Sequence, residues 1–89
     1  MGLSLVVTGA EIPDLLPSLR DLLTPREFQI AGYVRDALEN REIAKILGVS
    51  VGAIKIRLRN AFDRVGCDNR VMLAVRYERE EMLGRYERR

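Results

Sequence analysis

The 89-residue sequence predicts an all-α fold: four helices with a short N-terminal arm in front and an extended last helix behind. Three observations carry this. Thr24-Pro25-Arg26-Glu27 is a helix start, because Thr24 can cap, Pro25 suits the first helical position and Glu27 completes a capping box. From Asn40 to Val65 two helical patterns meet at Gly48, where a left-handed helix end wants glycine. On the second pattern Ile54, Leu58, Ala61 or Phe62, and Val65 recur every three or four residues, one apolar stripe.

Residues 1–22 read as an arm. It holds a β-prone run, Leu3 to Val7, a break at Thr8-Gly9, and then a short amphipathic helix after Pro13, in which Leu15, Leu16, Leu19, Leu22 and Leu23 have helical spacing. The domain proper is expected at 23–77. Its first helix should run from Pro25 to about Ala37, turning Phe28, Ile30 or Ala31, Val34 and Leu38 inward with Tyr33 on the flank. Asn40 is expected to cap the second helix, Arg41 to Leu47, which buries Ile43, Ala44 and Leu47. Val49 should tuck into the core and Ser50 should cap the third helix, which ends at Gly66.

Asp68 or Asn69 caps the fourth helix, which opens near Arg70 with five consecutive apolar residues, Val71 to Val75. One buried face needs fewer, so the surplus predicts a second partner for this helix. Residues 78–89 are expected to extend it as a charged tail, with Met82, Leu83 and Tyr86 continuing the stripe of Val71 and Val75 and Gly84 weakening it.

At this length, with 47% hydrophobic residues, the chain can fill one small core and leaves little room for a large buried active site. Histidine is absent, Cys67 is the only cysteine, and no glycine-rich phosphate loop is present, so zinc sites and Cys/His or Ser/His catalysis lack their parts. No enzyme activity, metal or cofactor is expected. Cys67 reads as a small buried hydrophobe between two helices. No apolar run is long enough for a membrane span. The N-terminal apolar run lacks the preceding basic residues of a signal peptide, and Val6 stands where a myristoylation motif needs Ser or Thr. A cytoplasmic location is the expectation.

A net charge of +2 is unremarkable, but its distribution is uneven: residues 41–70 hold seven basic against three acidic side chains. Between Ile43 and Phe62 stand Lys45, Lys55, Arg57 and Arg59 with no acid at all, so one surface should attract phosphate. Two short helices hinged at Gly48, the second basic, make a helix-turn-helix, whose second helix lies in the DNA major groove. At about 100° per residue, Gly52, Lys55, Ile56 and Arg59 share the side opposite the apolar stripe. Lys55 and Arg59 can donate to guanine O6 and N7, and Ile56 can meet a thymine methyl. Arg57 lies on the flank, aimed at phosphate, and Gly52 lets the backbone come close to DNA. Lys45, Ser50 and Asn60 are assigned to the phosphate backbone with them.

These residues resemble the LuxR-type (GerE-like) DNA-binding domain of bacterial transcription regulators, from Leu23 to about Arg76. The resemblance is carried by LTPRE at Leu23 to Glu27, NREIAKILGVS at Asn40 to Ser50, AIKIRL at Ala53 to Leu58 and VGCDNR at Val65 to Arg70. It implies a four-helix domain whose second and third helices form the helix-turn-helix and whose fourth makes a dimer. It also implies that Lys55, Ile56 and Arg59 face bases and that Arg57 meets the backbone. The chain departs from that pattern at Ala53, where a phosphate-binding Thr is usual, at Ala37, where a turn glycine is usual, and at Glu39, where Ser is common.

The expected function is therefore a sequence-specific regulator of transcription that binds double-stranded DNA as a homodimer, with Val71, Met72 and Val75 at the interface. A competing expectation is a protein-interaction module, similar to region 4 of bacterial sigma factors, that docks on another regulator or on RNA polymerase and binds DNA weakly. Ala53, Gly52, the apolar arm and the long fourth helix favour that alternative.

Overall fold

A computed structural model describes residues 17–86. Among them the chain forms five helices and no strand: α1 (Leu19–Leu22), α2 (Pro25–Arg35), α3 (Asn40–Leu47), α4 (Val51–Val65) and α5 (Arg70–Met82). Helices α2 to α5 are the four expected of the domain. The β-prone run at 3–7, and Leu15 and Leu16, lie outside the described residues.

Helix starts follow from short polar side chains. Thr24 Oγ1 accepts from the Glu27 backbone N–H at 3.1 Å while the Thr24 N–H donates to Glu27 Oε1 at 3.0 Å, the reciprocal box that the sequence predicts. Ser50 Oγ accepts from Ala53 N–H at 3.0 Å and Asn69 Oδ1 from Met72 N–H at 3.0 Å. At α3 the expectation needs correction: the cap is Glu39, whose N–H donates to the Glu42 carboxylate at 2.7 Å. Asn40 is instead the first helical residue, because its side-chain oxygen accepts from Arg70 Nη1 at 2.7 Å. The same guanidinium donates through Nη2 to Leu38 O at 2.8 Å, so Arg70 ties the start of α5 to the α2–α3 turn.

Helices α2 to α5 all end by one device, a residue in the left-handed region that lets the next N–H reach back five residues. The bonds are Leu38 to Tyr33 O, Val49 to Ala44 O, Cys67 to Phe62 O and Arg85 to Glu80 O, at 3.0 to 3.1 Å. Gly48 (φ 70°), Gly66 (φ 79°) and Gly84 (φ 75°) hold three of these positions, and Ala37 (φ 67°) holds the fourth. Helix α2 thus stops at Arg35, two residues before the expected end.

The largest fully buried side chains of the core come one from each helix: Leu19, Ile30, Ile43, Ile54 and Leu73. Truncating any of them to Ala would cost about 2–5 kcal/mol. Helix α5 packs chiefly along α2. Gly32 permits that approach, since a Cβ there would lie 3.0 Å from Tyr77 Oη. Above it Phe28, Tyr77 and Tyr86 form a triad with centroids 4.8 to 5.1 Å apart.

Packing against the core extends beyond residues 23–77 at both ends. The last residues of the expected arm are part of the core, with Leu19 fully buried and Ser18 nearly so. Glu80, assigned to a charged tail, is 4% exposed. Its carboxylate accepts from Leu19 N–H at 2.8 Å, Tyr86 Oη at 2.9 Å and Arg76 Nε at 2.8 Å, and Arg85 Nη1 stands 3.7 Å away. This one side chain closes α1, α5 and the turn after α5 on each other. Gly84 does not weaken a continuing helix. It ends α5 and turns the chain back, so Tyr86 leaves the expected stripe for the aromatic triad while Met82 and Leu83 remain exposed.

Candidate nucleic-acid interface

Helix α3, the left-handed Gly48 and the Ser50 cap set α4 against the rest of the domain by its Ile54, Leu58 and Ala61 side. Phe62 and Val65 add partly buried contacts. The opposite side of α4 is open. Lys55, Ile56, Arg57, Arg59 and Asn60 are all exposed, as are Lys45, Ser50 and Gly52. The three residues expected to read bases lie on that open side, Ile56 at 58% exposure.

The cations of this surface have no acidic partner among the described residues, whereas three arginines elsewhere in the domain are held by acids. Arg35 is held by Asp36, Glu78 and Glu81, Arg64 by Glu27, and Arg76 by Glu80. Among the described residues Lys45, Lys55, Arg57 and Arg59 form no ion pair. Their fields therefore add along one face, where a polyanion would meet them. Ser50 uses its oxygen as an acceptor within the cap, which leaves the hydroxyl proton to donate outward. Intramolecular packing does not require glycine at 52: an added Cβ would meet only Ser50 Oγ, at 3.8 Å.

Two features of the site escape sequence reasoning. Lys55 and Arg59 border a hollow of about 440 Å³ whose far wall is Asn40, Asp68, Asn69 and Arg70, so the α5 N-terminus brings a third cation to the rim and one acid beside it. Only tertiary packing brings Arg70 there. The other is Val49, expected in the core but 40% exposed, because the turn after Gly48 satisfies its N–H on Ala44 O and leaves its side chain outside. With Ile46 (54%) and Val51 (36%) it adds apolar surface to the helix-turn-helix. Cys67, expected to be buried, is only half-buried, and desolvation raises its thiol pKa.

A capped helix pair joined by a left-handed glycine, with a second helix that is apolar inward and cationic outward, defines a helix-turn-helix domain. Residues 21–77, more than half of the chain, match the family model described as bacterial regulatory proteins, luxR family. The chain belongs to this family. It is similar to the monoamine regulon transcriptional regulator of Klebsiella aerogenes, with 38% identity over 63 residues, 71% of this chain and 26% of that protein. It also resembles the HTH-type transcriptional regulator MalT of Yersinia pestis (strain Pestoides F), with 31% identity over 65 residues, 73% of this chain and 7% of MalT. The chain thus spans about a quarter of the length of the first of these relatives and far less of the second. No solved structure matches it.

Proposed function

We propose that the domain is a sequence-specific DNA-binding transcriptional regulator that enters the major groove with α4 and acts as a homodimer through α5. The observation that carries this reading is the open face of α3 and α4 on which Lys45, Lys55, Arg57 and Arg59 form no ion pair among the described residues. Lys55 and Arg59 would read guanine edges and Ile56 a thymine methyl, with Lys45, Ser50, Gly52, Arg57 and Asn60 on the phosphates. Family membership and the names of the two relatives, both transcriptional regulators, support the DNA-binding part. The dimer reading rests on Val71 (67% exposed), Met72 (48%) and Val75 (50%), an apolar row on α5. Two symmetric copies would set two recognition helices on half-sites about one helical turn apart or less. Such a regulator works in a bacterial cytoplasm, on the nucleoid; none of the described helices is long and apolar enough to cross a membrane.

The test is selection of bound fragments from genomic DNA, followed by titration of the selected site and of random DNA. Lys55→Ala with Arg59→Ala should lower affinity for the selected site by about 1–3 kcal/mol per lost base contact, with less effect on random DNA. Equal affinity and an unchanged selected sequence would show the groove assignment to be wrong. For the dimer, Val75→Asp should leave a monomer in sedimentation, with and without DNA.

A second reading is favoured by the exposed Ile46, Val49 and Val51 beside the basic face. It makes the domain a docking module for another regulator or RNA polymerase. Absence of salt-dependent DNA binding at micromolar protein and low salt would select it.

A further inference from the structure

The outward face of α5 is a row of exposed apolar side chains, Val71, Val75 and Met82, and its two flanks differ in charge and in size. At about 100° per residue, Ala74, Glu78 and Glu81 fall on one side of the row and Met72, Arg76 and Arg79 on the other. The first flank borders a hollow of about 650 Å³ between α5 and Arg35, with Ala74, Glu78, Met82 and Leu83 in its walls. Its charge is acidic, because Arg35 is set against three carboxylates, those of Asp36, Glu78 and Glu81. The second flank borders a hollow of about 370 Å³ against the end of α4, walled by Val65, Cys67, Met72 and Arg76 with no acid in the lining. Arg79 rims both hollows and forms no ion pair among the described residues.

This asymmetry bears on how two copies can meet. In a symmetric dimer each copy presents the same face to the other, and the direction of the two-fold axis decides which flanks touch. An axis across α5 makes the two helices antiparallel and sets like flanks together, acidic on acidic and basic on basic. An axis along α5 makes them parallel and sets the acidic flank of each copy against the basic flank of the other. Equivalent residues then stand at equal heights. Neighbours in sequence differ by only about 1.5 Å of rise, so positions 78 and 79 meet across such an interface.

We propose that the two α5 helices pack side by side and parallel, and that Arg79 of each copy pairs with the partner's Glu78. The inference rests on the homodimer reading above and adds to it the axis, the register and a residue that each copy supplies to the other. The pairing occurs twice, once on each side of the apolar row. Size agrees with charge: Met72 of one copy faces the hollow that the small Ala74 leaves in the other. The same arrangement selects partners, because an α5 with like charges on both flanks would put a repulsive pair on one side of the row.

Sedimentation of the full chain, alone and on its selected DNA site, measures the dimer. Arg79→Glu exchanges two attractions for two repulsions and should weaken dimerisation about tenfold. Glu78→Arg with Arg79→Glu in the same chain reverses both flanks and should restore it. These positions are exposed, and an unchanged circular dichroism spectrum verifies the fold. The axis is read separately in a Cys67→Ala background. Val71→Cys and Met82→Cys lie about 16 Å apart along the helix. Each should form a disulfide with its own equivalent in the partner under mild oxidation, since the Cα atoms of a disulfide lie within about 7 Å. An antiparallel pair can bring at most one of these two positions onto itself. A disulfide at one position or at neither overturns the parallel axis. Arg79→Glu that dimerises like wild type, or a reversed chain as weak as Arg79→Glu, overturns the pairing while the homodimer stands. A wild-type chain that stays monomeric with and without DNA removes the homodimer reading and this proposal with it.

Discussion

Replacing Ala37 by glycine should stabilise the domain, which is an unusual direction for a substitution to glycine. Ala37 closes α2 at φ 67°. Its N–H donates to Val34 O at 2.9 Å, and the next N–H donates to Tyr33 O at 3.1 Å. These bonds use backbone atoms only and survive the change. An L-residue with a Cβ in the left-handed region costs about 1–2 kcal/mol. Glycine removes that cost but adds about 0.4–1 kcal/mol of unfolded-state entropy. The net gain is about 0.5–1 kcal/mol, or about 2–8 °C in Tm for a domain of this size. The other closures supply the reverse experiment. Gly48 and Gly66 stand at φ 70° and 79° with nothing within 4 Å of an added Cβ, so Gly48→Ala and Gly66→Ala should each lose about the same amount through backbone strain alone. Urea and thermal unfolding followed by far-ultraviolet circular dichroism measure all three. A neutral or destabilising Ala37→Gly, beside destabilising Gly48→Ala and Gly66→Ala, would refute the left-handed closure at 37.

Glu80→Ala should cost about 2–3 kcal/mol, since it orphans the Leu19 N–H and removes two charge-assisted bonds; the exposed Glu78→Ala should stay within about 1 kcal/mol, and equal losses would discount the Glu80 hub. Burial, then the bond to the Glu80 carboxylate, raise the Tyr86 hydroxyl well above its usual 10. A raised folded pKa stabilises below the unfolded value and is lost as pH climbs past it, so stability should fall above about pH 10, less steeply in Tyr86→Phe than in wild type. Identical slopes in pH-dependent urea melts would contradict the Tyr86–Glu80 bond. Arg57→Ala should weaken binding to all DNA sequences alike and reduce the slope of log K against log salt by about one; a sequence-dependent loss would move Arg57 to the bases.

The sequence by itself determined the helices from α2 to α5 and the sidedness of α4. These depend on local chemistry: Thr24, Ser50 and Asn69 cap through bonds spanning three residues. Gly48 and Gly66 permit left-handed closures, and a period near 3.6 separates Ile54 and Leu58 from Lys55 and Arg59. The motifs that carry the family resemblance are the same local signals, so the family too was legible. What only the tertiary structure decided involves partners distant in sequence. Glu80 reads as one more charge in a tail of eight charged residues until Leu19, 61 positions away, turns its N–H toward it. Asn40 is a good cap by type, yet Arg70 claims its side chain from 30 positions on. Val49 is apolar and was expected inside, but the turn that satisfies its N–H points it to solvent. Glu80 and Asn40 each had two physically acceptable roles, and packing against a residue distant in sequence selected the one that pairs their polar atoms, whereas at Val49 the local turn decided.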